Sequence, residues 1–237
     1  MLGRFLEVSV HTPNALESMQ FYQRLGFTAA AAGDTWSHPY GVVTDGRVSI
    51  GLHQYEFDSP SITFVKPDLW RHLEPLEKLG IEFDFRKLGE NVFNEAGFRD
   101  PNGLRVTLLE ARTFSPPAVD CDESLCGYFA ELGVPTQDAE ASTRFWERLG
   151  FVGMEAQGAR FRRISLTSDF IDLGLYESRD IQQPVLAFVD PQMSDRIERI
   201  VQRGVEPARL PKGLDKGSNA MFIAPEGTPL LLMTGDG

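Results

Sequence analysis

The chain has 237 residues, 42% of them apolar and 24% charged, an ordinary balance for a globular protein of one large domain or two average ones. Its formal net charge of −11 argues against a surface that wraps nucleic acid, where a basic face is the usual footprint. No run approaches the roughly 18 apolar residues of a membrane span, so neither nucleic acid nor membrane is expected as a partner.

In chain order, the opening "MLGRFLEVSV" reads directly into a strand and lacks the pattern of a secretory signal. A helix is expected next, because Leu16, Met19, Tyr22 and Leu25 recur at helical spacing. Asn14 stands where it would cap that helix, and Glu17 completes a capping-box pattern. Gly26 is placed to end it in a left-handed turn. Segments 40–45, 47–55 and 61–65 are rich in β-branched and apolar residues and read as strands. A second helix-then-glycine unit ends at Gly80. Pro75 weakens it, and we expect a late start or a kink, since an interior proline costs about 3 kcal/mol. The turn "DPNG" at 100–103 opens a strand at 104–111.

The plan then repeats. "FYQRLGF" at 21–27 returns 124 residues later as "FWERLGF" at 145–151. Asp138 takes the place of Asn14, and Gly150 that of Gly26. Gly26 to Gly80 and Gly150 to Gly204 both span 54 residues. "APEG" at 224–227 matches "DPNG". The pattern gives an α+β fold of four βαβββ units, arranged as two tandem domains at 1–115 and 125–237. Pro116 and Pro117 lie in a linker, 116–124, without apolar period. Cys121 and Cys126 have neither metal-site nor scaffold spacing, so reduced thiols in a cytoplasmic protein are expected.

These repeated motifs, with "DPNGLRVTLLE" and the internal spacing, resemble the vicinal oxygen chelate superfamily. It includes glyoxalases, ring-cleaving dioxygenases and bleomycin-type resistance proteins. The resemblance covers nearly the whole chain. It implies paired units that curl into cups, with a ligand inside. In catalytic members it also implies a divalent metal held by His and carboxylate side chains. Those positions correspond here to Glu7, Ser61 and Glu110 in the first half, with a further one near Gly51. In the second half they are Glu131, Val185 and Thr234. All four histidines (His11, His38, His53 and His72) lie in the first half.

Two carboxylates and a hydroxyl make a poor transition-metal site. His53 lies two residues past Gly51 and shares its strand face, so a rearranged metal site of Glu7, His53 and Glu110 is the alternative. Glu7 and Glu110 read as an acid/base pair or a clamp in the first cup, against a purely structural reading. If they share that cup without a metal they repel, and Glu7→Gln should raise stability. Trp36, His38 and Tyr40 form an aromatic cluster that would rim the opening and stack on a flat ligand, or merely seal a loop. Arg160, Arg162 and Arg163 would grip an anion or form an exposed charged strand. The segment 210–218 lacks phosphate-loop spacing and reads as a loop beside the second cup.

The candidate ligand-binding residues are therefore Glu7, His53, Glu110, Trp36 and Tyr40. The expected function is binding of a small organic molecule in a cup without metal cofactor. The alternative is a metal-dependent lyase, isomerase or dioxygenase with the altered site. A third reading makes the second half a structural lid or dimer partner. A homodimer is compatible with each.

Overall fold

The computed structural model describes residues 1–31, 38–90, 92–111, 121–155 and 162–235. The first half holds β1 (Arg4–His11), α1 (Ala15–Arg24), β2 (Thr28–Ala30), β3 (Tyr40–Thr44) and β4 (Ser49–His53), then β5 (Ser61–Lys66), α2 (Trp70–Lys78), β6 (Phe83–Lys87), β7 (Glu95–Arg99) and β8 (Arg105–Glu110). The second holds β9 (Tyr128–Pro135), α3 (Ala139–Arg148), β10 (Val152–Glu155), β11 (Arg162–Thr167), β12 (Leu173–Glu177), β13 (Val185–Asp190), α4 (Met193–Gln202), β14 (Ala220–Ile223) and β15 (Pro229–Thr234).

Each half builds its own curved sheet. The orders are β2-β3-β4-β1-β5-β8-β7-β6 and β10-β11-β12-β9-β13-β15-β14. In each, two units meet through their first strands, β1 with β5 and β9 with β13, both antiparallel. The cups therefore form within halves. The fourth unit departs from expectation, because only two described strands follow α4. Where β6 stands in the first half, the second has a loop containing Pro207 and Pro211, residues that remove ladder donors.

The caps follow the expected chemistry. Asn14 Oδ1 accepts from Glu17 N at 3.3 Å, and Asp138 Oδ1 from Ala141 N at 2.9 Å. The reciprocal half of the capping box is absent, because Thr12 Oγ1 accepts the Asn14 N–H instead. Gly26, Gly80, Gly150 and Gly204 all have positive φ and end their helices. α2 begins late, at Trp70, and its first turn closes through the tight bonds from Arg71 N to Asp68 O and His72 N to Leu69 O. That leaves Pro75 inside a nine-residue helix.

One continuous apolar core runs through both halves. The halves meet around a pseudo-twofold. Tyr22 of α1 donates to Glu226 at 2.8 Å, and Ser18 does so at 2.7 Å. Their repeat counterparts on α3 are Trp146, which donates to Asp100 at 3.2 Å, and Ser142, which bonds Asn102. Each helix thus docks on the turn that opens the other half's last strand. Tyr22 and Trp146 are both fully buried, so each brings one polar atom that needs its partner. Among the described residues no helix is long and apolar enough to cross a membrane.

Candidate functional site

Strand alternation gives each sheet two faces. On β1, Val8 and Val10 join the helix-covered core, so Glu7 and Ser9 point to the inner face. The register carries a row across the sheet from Glu7 to Thr63, Thr107, Gly97 and Phe85. This face is unusually polar for buried strands: Glu7, Ser9, His53, Ser61, Thr63 and Thr107 are all buried. Buried polar groups require partners, and here they supply one another. Ser9 Oγ donates to Glu7 Oε1 at 2.8 Å and shares a 2.8 Å bond with Thr63 Oγ1.

The centre of the row is a hydrogen-bonded chain. His53 Nε2 lies 2.7 Å from Glu7 Oε1, and His53 Nδ1 lies 2.9 Å from His38 Nε2. A carboxylate accepts only, so with Glu7 ionised His53 Nε2 carries a hydrogen. Nδ1 then faces His38 as acceptor, or as donor if the ring is protonated. A carboxylate behind an imidazole fixes its tautomer and supports positive charge on it. Tyr40 stacks on His53, with ring centroids 5.3 Å apart and planes 7° apart, and His38 stacks on Tyr55. Burial, and next the facing His53, hold the His38 pKa below its ordinary value, which favours the neutral imidazole. The carboxylate fits because β4 has glycine beside it. A Cβ on Gly51 would lie 2.3 Å from Glu7 Cδ.

Of the expected residues, Glu7, His53 and Tyr40 come together, and Trp36 lies outside the described residues. Glu110 does not join them. It sits three residues beyond Thr107 on β8, an odd offset that turns it to the opposite face and about 10 Å along the strand. There its Oε2 accepts from Leu69 N at 3.0 Å and Asn94 Nδ2 at 3.3 Å. Leu69 is the N-cap of α2 and has no side-chain cap of its own, so Glu110 serves the helix terminus. The repulsion expected between Glu7 and Glu110 is absent, and with it the reason for Glu7→Gln to stabilise. Ser9, Thr63 and Thr107 went unnoticed in the sequence. Their signal is a small polar residue at alternate positions in otherwise apolar strands.

The second half repeats the geometry with other chemistry. Gly133 pairs with Gly174 as Ser9 pairs with Gly51, so Gly174, Tyr176 and Arg163 occupy the places of Gly51, His53 and Tyr40. Tyr176 donates its hydroxyl to Glu131 Oε1 at 2.6 Å, and Arg163 Nε lies 2.8 Å from the same oxygen. That Nε is buried without an aligned hydrogen bond, so the contact is one of charge. Burial alone would lower the Arg163 pKa, but the Glu131 carboxylate outweighs it and raises it. Burial first, then Glu131, raises the Tyr176 pKa well above its usual value. Ser165 donates to Glu131 Oε2 at 3.4 Å, and beyond it the face turns apolar: Val185, Met221 and Leu231 pack with Tyr176, and Leu210 and Leu214 of the 206–219 loop close over them. Val185 and Leu231 replace the hydroxyls Ser61 and Thr107. Thr234, like Glu110, lies near the strand end, where its Oγ1 donates to Ser218 O.

Among the described residues, the divalent metal implied by the resemblance finds no fitting donor set around Glu7. Glu7 Oε1 already accepts from Ser9 and faces His53, both His53 nitrogens are engaged, and the neighbouring donors are threonine hydroxyls. Among the described residues no three His, Cys, Asp or Glu side chains converge as ligands. A separate groove of about 1140 Å³ runs between the halves past Asn102, Thr136, Asp138 and Ser142. The Asn102–Ser142 and Thr136–Ser142 bonds of the domain joint lie in its wall.

No protein-family model and no curated protein matches the sequence. Solved structures do. A catechol 2,3-dioxygenase superposes with a TM-score of 0.61 at 14% identity, covering 98% of this chain and 88% of that one. A variant of homoprotocatechuate 2,3-dioxygenase from Brevibacterium fuscum gives 0.64 at 15% identity, over 99% and 72%. The 2,2',3-trihydroxybiphenyl 1,2-dioxygenase of Sphingomonas wittichii gives 0.62 at 17% identity, over 99% and 91%. From end to end, the chain has the tandem vicinal oxygen chelate fold of these ring-cleaving dioxygenases.

Proposed function

We propose that the first cup binds a small, flat, hydroxylated organic molecule and holds its hydroxyl against an acid/base relay, with no transition metal. The observation that carries this reading is the buried chain Glu7–His53–His38 on a polar sheet face. Such a chain can take up one proton at the imidazoles and spread the charge toward Glu7. Tyr40 offers the aromatic surface for a planar ring. The fold likeness to dioxygenases of aromatic diols supports the ligand class. The second cup, filled by its own ion pair and apolar side chains, serves as a structural partner.

A metal-dependent dioxygenase is the second reading, favoured by the same likeness. It requires ligands beyond Glu7 and His53, and Glu110 faces away from them. Titration of the purified chain with catechol, with and without a strong chelator, tests the choice. Binding unaffected by chelation and weakened about tenfold by H53Q, the loss of one charge-assisted hydrogen bond, is expected. Binding abolished by the chelator, or untouched by H53Q, would overturn it. The two cysteines are thiols, which agrees with a cytoplasmic setting for this activity.

A further inference from the structure

The relay leaves one charged side chain of the first cup without a role. Arg105 lies two residues before Thr107 on β8, so it shares the inner face. It is half-buried, and its guanidinium stands 4.9 Å from the centroid of the Phe85 ring. Phe85 in turn covers Gly97, where a Cβ would come within 2.1 Å of the ring. A guanidinium stays charged and offers five donors in a fixed fork. Some arginines of this protein find carboxylates, as Arg99 holds Asp58 and Asp84, Arg163 holds Glu131, and Arg196 holds Asp190 and Glu123, while Arg47 and Arg148 lie over aromatic rings as Arg105 does. Among the described residues no carboxylate pairs with Arg105. A cation in a part-buried wall, stacked on an aromatic ring and with its donors unspent, matches an incoming anion.

We propose that Arg105 receives a carboxylate on the ligand, so that the first cup takes an aromatic acid. The inference rests on the reading that this cup binds a hydroxylated ring. The register sets the geometry. His53 on β4 and Arg105 on β8 have β1 and β5 between them, so three inter-strand steps, about 14 Å, separate their strands. With both side chains reaching toward each other along the inner face, the gap takes one six-membered ring with its hydroxyl toward His53 and a short carboxylate arm toward Arg105. The net charge of −11 does not oppose this, because the carboxylates of the inner face are already engaged, Glu7 with His53 and Glu95, two residues before Gly97, with Lys87. Arg105 acts here in binding and specificity, not in proton transfer.

The test compares 4-hydroxyphenylacetate with its neutral amide, by calorimetric titration of the full chain as wild type, R105Q and R105K. The wild type should bind the acid about tenfold or more tighter than the amide. R105Q should erase that preference, and R105K should keep part of it. Equal wild-type affinity for acid and amide overturns the Arg105 assignment and leaves the ring-binding reading standing. So does a preference that survives R105Q. If neither compound binds the wild type at millimolar concentration, both readings fall. Melting curves of the three proteins guard against a misfolded variant. If R105Q fails to fold, R105K decides: an acid preference reduced or lost while the amide still binds supports the Arg105 assignment, and an undiminished preference overturns it.

Discussion

Gly51→Ala isolates the interaction on which the first cup depends. The new Cβ would stand 2.3 Å from Glu7 Cδ and Oε1 and 2.4 Å from Oε2. Ordinary contacts of carbon begin near 3.5 Å, so the carboxylate must retreat by about 1 Å or more. That move carries it out of hydrogen-bond range of His53, now at 2.7 Å. Both residues are buried, away from bulk solvent. Loss of a charged hydrogen bond costs about 1.5–3 kcal/mol, and overpacking a strand interface about 1–3. We expect about 3 kcal/mol in total. For a chain of this size that lowers the melting temperature by about 6–12 °C, read by circular dichroism. The double variant with Glu7→Ala completes a cycle. Without the carboxylate there is nothing to strike, and Gly51→Ala should then cost less than about 1 kcal/mol relative to Glu7→Ala alone. An equal cost in both backgrounds would refute the reasoning, because the clash would not be with Glu7.

Glu7→Gln should lower the melting temperature, since the carboxylate is satisfied by Ser9 and His53 rather than repelled; a rise would restore the charge-repulsion picture. Glu110→Ala should cost about 1 kcal/mol through the exposed start of α2, with ligand affinity in the first cup unchanged. Trp146→Phe should cost about 1–3 kcal/mol in chemical denaturation, because buried Asp100 loses one donor at the joint between halves. The pKa of His38 is lower in the folded chain than in the unfolded one, where it is 6.5, so the folded state binds fewer protons. The stability this gives is full above pH 6.5 and is lost as pH falls through the folded value, so wild type should lose melting temperature faster than His38→Gln on acidification.

The repeat, the helix stops and the caps were legible because they are local: Asn14, Asp138 and the glycines at 26, 80, 150 and 204 act within a few residues. His53 was legible through strand alternation from Gly51. Glu110 misled because it ends a strand whose earlier positions matter. Only the register, Thr63 beside Thr107 and Lys66 beside Glu110, reveals that an odd step has turned it away. The second half hid its likeness for a related reason. Between β9 and β12 it runs one residue short of the first half, so adding 124 to Gly51 gives Leu175, whereas pairing identifies Gly174. The missing strand after α4 is a tertiary fact. Leu210 and Leu214 of that segment pack over the apolar face of the second cup instead of extending the sheet edge.

The central claim is that Glu7 is committed to His53 and not to a metal. Long-range proton–nitrogen correlation spectra of the histidine side chains test it directly, recorded at neutral pH before and after an equivalent of zinc. The account predicts that His53 Nε2 keeps its hydrogen, that its resonance moves on Glu7→Gln, and that zinc leaves it in place. Stoichiometric zinc that strips that hydrogen and shifts His53 as a ligated imidazole would contradict it.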